Sequence, residues 1–280
     1  MLTGRIGYVL YVEGGTDIDM LRGLAERLQH PVADIWDERI NSFYVQNNYP
    51  LQDVDAELER VEGGFGLTPR EHFNGLRNLL PSLQGVAILD NDGQNRQDRD
   101  EGALRIRYWR RYEAENYFIT PELLRRYAYA HYPADDLFTS QARQGVDDAL
   151  AETLVELVFD GNPEDYEIWL QSPADAARLI WETQTARRKL SAIAEEFFRR
   201  LAQKVGGGML LKKGEFHRLI EHAELSTTAE AEVRAKLDLL MALFHSARQH
   251  GETNRVDTTS PEALDDKDQG SDMDSEGLTA

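Results

Sequence analysis

Four acidic residues stand where a strand-and-helix protein would place a reactive edge. Glu13 closes a short apolar run, Tyr8-Val9-Leu10-Tyr11-Val12, and Asp17 follows four residues later. Asp90 and Asp92 close a second run, Val86-Ala87-Ile88-Leu89. In open parallel sheets ligands bind outside the carboxyl ends of the strands. Adjacent strands would therefore bring these carboxylates to one spot. Unpaired, they would repel one another, and a divalent cation is the simplest remedy. Oxygen-only donors in a partly hydrated site favour Mg²⁺ or Mn²⁺ over zinc. Each piece has a plain structural reading. An Asp after a strand is a common turn residue, Asp17 suits a helix N-terminus through the dipole, and Glu13-Gly14-Gly15 makes an ordinary turn. The conjunction carries the argument.

Basic residues form two further groups. Arg105 and Arg107 alternate with Leu104, Ile106 and Tyr108, and Arg110 and Arg111 follow among Trp109 and Tyr112. Arginines interleaved with aromatics suit a phosphate backbone and unstacked bases; the alternative is an edge strand with solvated arginines. The segment Arg111-Tyr112-Glu113-Ala114-Glu115-Asn116-Tyr117 adds two carboxylates beside them. Further on, Leu210-Leu211-Lys212-Lys213-Gly214-Glu215-Phe216-His217 offers a lysine to neutralise phosphate charge, or else a surface turn.

These groups need a scaffold, and the first 120 residues supply alternating strand and helix signals. Strands are predicted at 8–12, around 42–45, at 86–89 and at 104–108. The last reads as an edge or half-exposed strand. Thr16 reads as a helix N-cap, with Ile18, Leu21, Leu24, Ala25 and Leu28 forming one stripe. Thr68-Pro69-Arg70-Glu71 combines a capping box with proline at the first helical position. This order predicts a mostly parallel sheet with helices on both faces. From about residue 121 the signals are helical. Thr120-Pro121 and Ser172-Pro173 read as helix starts. An apolar stripe runs through 173–204, and Thr227 to Glu230 reads as a capping box. The reading is an α/β domain at 1–120, a helical region at 121–249 that completes or caps the site, and an acidic tail at 250–280.

The tail holds nine acids and two bases and has almost no large apolar side chains. Such composition cannot offset its ordering entropy, so the tail is expected to be disordered and dispensable for folding. It carries −7 of the net −19, and the remaining 249 residues are acidic too. That argues against a wholesale electrostatic nucleic-acid binder but not against a metal-dependent enzyme, whose site is itself negative. The absence of cysteine excludes disulfides, zinc–thiolate sites and cysteine nucleophiles. No apolar run approaches ~20 residues, so no membrane span is expected. Met1–Ile6 lacks a signal-peptide pattern, and a cytoplasmic protein is expected.

Val12-Glu13-Gly14-Gly15-Thr16-Asp17 with its leucine-rich helix, followed by Leu89-Asp90-Asn91-Asp92-Gly93, resembles the Toprim (topoisomerase–primase) domain. Glu115-Asn116-Tyr117 and Lys212-Lys213-Gly214-Glu215-Phe216 look more narrowly like the Toprim half of overcoming-lysogenisation-defect (OLD) nucleases and related phage-defence effectors. The likeness covers residues 5–120 well, 120–220 only through these late motifs, and the tail not at all. It implies a Rossmann-like Toprim fold and two-metal phosphodiester cleavage of DNA or RNA. Glu13 would be a metal ligand or general acid/base, with Asp17, Asp90 and Asp92 as further ligands. Glu115, or else Glu113, would be the later acid, and Lys213, or else Lys212, the base near the scissile phosphate. Arg105, Arg107, Arg110, Arg111 and Lys212 would hold nucleic acid.

The chain departs from the OLD pattern because no ABC-type ATPase or phosphate-binding loop precedes the first strand. It would act alone or with such an ATPase supplied in trans, and a homo-oligomer is compatible with either. The rival reading is an effector or sensor subunit, held by that ATPase, with latent or lost catalysis. A haloacid-dehalogenase-like phosphatase fits poorly, because its Asp pair belongs on the first strand and is followed two residues later by Thr or Val.

Overall fold

The computed structural model describes residues 8–44, 69–132 and 137–256 of the 280-residue chain. Five strands form one sheet: β1 (Tyr8–Val12), β2 (Ile40–Tyr44), β3 (Gly85–Leu89), β4 (Arg99–Glu101) and β5 (Leu104–Tyr108). Their order is β2-β1-β3-β5-β4. All neighbours are parallel except the β4–β5 pair. The expected mostly parallel α/β sheet is therefore present. β1 and β3 are buried along their whole length, as central strands covered on both faces must be. Their continuous apolar runs follow from that. β5 alternates buried and half-buried residues, but the edge belongs to β4, a three-residue strand too polar to read as one.

Helix α1 (Gly15–Arg27) follows β1, and α2 (Trp36–Arg39) precedes β2. Helix α3 (Pro69–Leu79) packs Phe73 and Leu76 on one face of the sheet, against Val9, Tyr11, Ala87, Leu89 and Ile106. The opposite face, with Leu10, Val12, Val86 and Ile88, joins one continuous core. That core takes in α1 and the helices α4 (Pro121–His131), α5 (Leu137–Leu157), α6 (Pro163–Gln171), α7 (Ala174–Thr185), α8 (Leu190–Val205) and α9 (Thr227–Val256).

Several boundaries differ from the sequence reading. The α1 cap is Gly14, not Thr16: the Gly14 N–H donates to Asp17 Oδ2 at 2.9 Å, so the acid three residues on serves the turn. Ser172 ends α6 instead of opening α7, its hydroxyl donating back to the Ile168 carbonyl at 2.7 Å. The α9 cap is Ser226, one residue before the expected position: its Oγ accepts from the Ala229 N–H at 3.3 Å. Thr120 does cap α4, accepting from the Leu123 N–H. The 173–204 stripe is broken between α7 and α8. Helix α9 continues through Val256, so 250–256 belong to it and not to the tail. Thr68, Val45 and residues 257–280 lie outside the described residues. No described helix is long and apolar enough to cross a membrane.

Gly85 permits the closest approach between layers. A Cβ placed there would lie 2.6 Å from Phe73 Cε2 and 3.1 Å from Leu104 Cδ1. Gly85→Ala is expected to displace the Phe73 ring and destabilise the fold by about 1–3 kcal/mol, as overpacking does. Urea denaturation would read this as a lower midpoint at unchanged slope; an unchanged midpoint would mean that the ring is not seated as described.

Candidate active site

The chain leaves β1 towards β2 on one side, and β3 lies on the other. Between β1 and β3 the sheet therefore has its topological switch point, where diverging loops open a crevice. Glu13 follows β1 directly and Asp90 follows β3 directly. The Asp90 N–H donates to Glu13 Oε1 at 3.2 Å. Asp17, in the first turn of α1, lies close enough to raise the pKa of both. Asp92 sits in a left-handed conformation, φ +48°, which Asp tolerates better than most residues. The Asn91 and Asp92 N–H groups both donate to the Tyr112 carbonyl, at 3.1 and 3.0 Å. That double bond pins the 90–93 turn to the segment following β5.

The same segment supplies two more carboxylates. Glu113 is 2% exposed and accepts from the Ser191 N–H at 2.7 Å, at the N-terminus of α8. Glu115 is 6% exposed and lies in the 3₁₀ turn Ala114–Tyr117. Both raise the pKa of Asp90. The alternatives Glu113 and Glu115 are thus both brought to the cluster. Asn116 has a separate task. Its side-chain amide donates to the Arg188 carbonyl at 3.1 Å and the Thr185 carbonyl at 3.4 Å, fixing the α7–α8 junction.

Three cations face the acids. Lys213 arrives on the 3₁₀ segment Lys213–His222, which runs alongside α1 in the same direction. A Cβ on Gly214 would lie 3.9 Å from Thr16 Cγ2, Ile220 packs on Gly23, and Arg27 Nε donates to the Ala223 carbonyl at 3.2 Å. This register fixes Lys213 at the N-terminus of α1, where it lowers the pKa of Asp17, Glu113 and Glu115. Lys212 is exposed, and its backbone N–H is occupied by Glu215 at 3.0 Å. Two cations escaped the sequence reading. Lys189, at the α7–α8 junction, approaches Asp92 Oδ1 at 3.4 Å. Arg96, on the loop after β3, donates to the Asp90 carbonyl at 2.9 Å and lies 3.7 Å from Asp92 and 3.9 Å from Glu13.

The four expected nucleic-acid arginines separate. Arg111 is engaged internally: it donates to the Asn116 carbonyl at 2.6 Å, pairs with Glu182 at 3.8 Å and lies over the Tyr117 ring. Arg105 stands opposite Asp100 in the β4–β5 pair. Arg107 bonds Asp100 at 2.6 Å. Arg110 is exposed.

Six carboxylates against three cations leave an excess of negative charge, and the titration behaviour reflects it. Burial pushes the Glu13 carboxyl up to about 7, with Asp92 and Asp17 adding to the shift. Burial pushes Asp17 up to about 6. Glu115 rises to about 8 through burial, then through Glu113 and Asp17. Asp90 is raised well above its ordinary value by burial and by Glu13, Asp17, Glu115 and Glu113. Glu13 and Asp92 keep 31% and 25% of their side-chain surface exposed, so the cluster opens to solvent on that side while Glu113 and Glu115 form its buried wall. Oxygen donors with unbalanced negative charge fit a hard divalent cation in chemistry. Among the described residues, however, no three acidic or imidazole side chains already converge on one point as ligands.

Compared with known proteins, the chain matches no family model, no curated protein and no solved structure.

Raised carboxyl values mean that the folded state binds protons the unfolded chain has released. Stability should therefore be highest below the ordinary carboxylate range, and should fall as pH rises through about 6, 7 and 8, the values of Asp17, Glu13 and Glu115. In EDTA the Tm is expected to drop between pH 5 and pH 8, the range over which these groups titrate, and Glu115→Gln should reduce that drop. A Tm that rises across this window, or is insensitive to Glu115→Gln, would contradict the charge-excess reading. Asn116→Ala should cost about 1 kcal/mol, since it removes the side-chain bonds to the Thr185 and Arg188 carbonyls, measured by the same melts.

Proposed function

We propose that this chain is a metal-dependent nuclease of the Toprim type, hydrolysing phosphodiesters of DNA or RNA, with phage defence as its setting. The observation that carries the reading is that Glu13, Asp17, Asp90, Asp92, Glu113 and Glu115 lie within electrostatic reach of their neighbours in the group, with Lys213 beside them, at the switch point of the sheet. Such an arrangement destabilises the fold through like-charge repulsion and desolvation, so it needs a function to account for it.

Glu13, Asp17, Asp90, Asp92 and Glu115 are the residues that would hold Mg²⁺ or Mn²⁺. Two bound ions would supply positive charge on both sides of an in-line displacement at phosphorus. Glu13, whose carboxyl titrates near neutral pH, is suited to taking a proton from an attacking water. Asp17 cannot turn freely, because it also accepts from the Gly14 N–H; the bond orients its carboxylate. Lys213 and Lys189 stand on different walls of the site and can stabilise charge that develops on the phosphate oxygens. No covalent nucleophile is required.

With Mg²⁺ and a panel of single- and double-stranded DNA and RNA, the native chain is expected to cleave at least one substrate. Glu13→Gln and Asp90→Asn should each lose about 100-fold or more in rate, the scale of removing a directly acting group, while the Tm holds or rises. Lys213→Ala should lower kcat far more than it raises KM, because its contribution grows only as charge develops. A Glu13→Gln/Asp90→Asn double variant that cuts at the native rate would refute the assignment.

A further inference from the structure

A cleft of about 1190 Å³ opens beside the acidic cluster, between the loop after β3, the end of β5 and one face of α9. Its charged lining is Arg96, Arg107, Arg110 and Lys236 against Asp98 and Glu232. Four cations against two acids is the reverse of the whole chain, which carries −19. Both signs are partly committed: Asp98 lies 3.9 Å from Arg107, Glu232 accepts from the Arg110 backbone N–H at 2.9 Å, Arg107 bonds Asp100 at 2.6 Å, and Arg96 lies within 4 Å of Glu13 and Asp92. Lys236 is only 7% exposed. Its ammonium donates to the Tyr108 carbonyl at 2.7 Å and lies 5.8 Å from the Trp109 ring. A carbonyl and a ring face do not cancel a buried charge; Asp98 and Glu232 favour the charged form, but burial outweighs them. Burial accordingly pushes the ammonium below its ordinary value.

We propose that this cleft binds the sugar–phosphate backbone of a single nucleic-acid strand and leads it to the carboxylates. The proposal rests on the nuclease reading for the strand's destination. Arg96 is the shared wall, since it lines the cleft while its guanidinium lies within 4 Å of both Glu13 and Asp92. The cations come from the loop, β5, the residue pair after it, and α9, so they suit a chain of phosphates more than one small anion. The enclosed volume suits a few nucleotides of one strand and is far smaller than a turn of duplex. Trp109 is buried at 2% exposure, which removes the obvious stacking platform; contacts should be mainly to phosphate and tolerant of sequence.

The test is fluorescence anisotropy of a labelled poly(dT) strand on the full-length chain in EDTA, across a salt series, with cleavage assayed separately in Mg²⁺. Arg110→Glu, an exposed change that spares the core, should weaken binding about tenfold and flatten its salt dependence. Lys236→Gln should do the same and Lys236→Arg should restore it, while Arg178→Glu on α7 should change nothing. Native-like binding by Arg110→Glu would overturn the cleft even if the chain cuts nucleic acid. Absence of binding by the native chain, or equally tight binding of duplex, would overturn it as well. Strand binding that depends on Arg110 and Lys236 in a chain that cuts nothing would support the cleft and refute the nuclease reading instead.

Discussion

Gathering six carboxylates behind three cationic side chains is opposed by both repulsion and desolvation, and the surrounding architecture holds them there regardless. The sheet does most of this. β1, β3 and β5 are neighbours in parallel, with Tyr11 beside Ala87 and Ala87 beside Ile106. Their carboxyl ends are therefore level, and whatever follows them is forced onto one edge. Glu13 and Asp90 lie within the first residue after a strand and have no slack to move apart. Backbone donors then fix the orientation: Asp90 N–H on Glu13, Gly14 N–H on Asp17, Ser191 N–H on Glu113. Each is a charge-assisted bond that favours the ionised form, and in Glu13, Asp17 and Glu113 burial outweighs such bonds.

The second half of the chain closes the site through two structural links. The first is the run of 213–222 along α1, which converts a separation of about 200 residues into contact. The second is Asn116. Its amide takes carbonyls from both sides of the α7–α8 break, and the Leu190 N–H points back to its Oδ1 at 3.5 Å. A residue next to an acidic ligand candidate therefore sets the position of Lys189. Tyr117 acts similarly on the other side, its hydroxyl accepting from the Arg110 and Arg111 N–H groups at 3.0 and 3.1 Å. The Glu-Asn-Tyr triplet is thus one charged group and two clamps.

What was legible in the sequence follows from where the information is local. A buried parallel strand needs a continuous apolar run, and a strand end needs a turn, so Glu13 and Asp90 could be placed from neighbouring residues alone. Helix caps were less legible. Thr16 is the usual capping type, but Asp17 satisfies the Gly14 N–H from inside the helix and moves the start back. Lys189 left no signal, because nothing in Thr185–Arg188 breaks a helix; the break is imposed by the distant Asn116. Lys236 did leave one: it lies three residues after Val233 and beside Leu237, on the buried stripe of α9, where a lysine is out of place. Arg96 sits in a polar loop, and only the fold reveals that its side chain is 8% exposed.

The charge distribution has two length scales, and they act in opposite directions. Within about 10 Å in 0.1 M salt, the screening length, a partner meets the field of an acidic body, which discourages casual capture of nucleic acid. At contact it meets individual side chains, and these are sorted by position: acids at the floor of the switch-point crevice, bases along the cleft beside it, with Arg96 in contact with both. Under the nuclease reading this sorting separates two tasks that a uniformly basic surface would merge. On that reading the cleft cations would act on phosphates remote from the reaction and contribute equally to bound substrate and transition state. Lys213 and Lys189 face the carboxylates, where charge would change during such a reaction, so their contribution would be greatest at the transition state. A net negative protein could handle a polyanion on these terms, because selectivity for the correct seat would arise from short-range contacts.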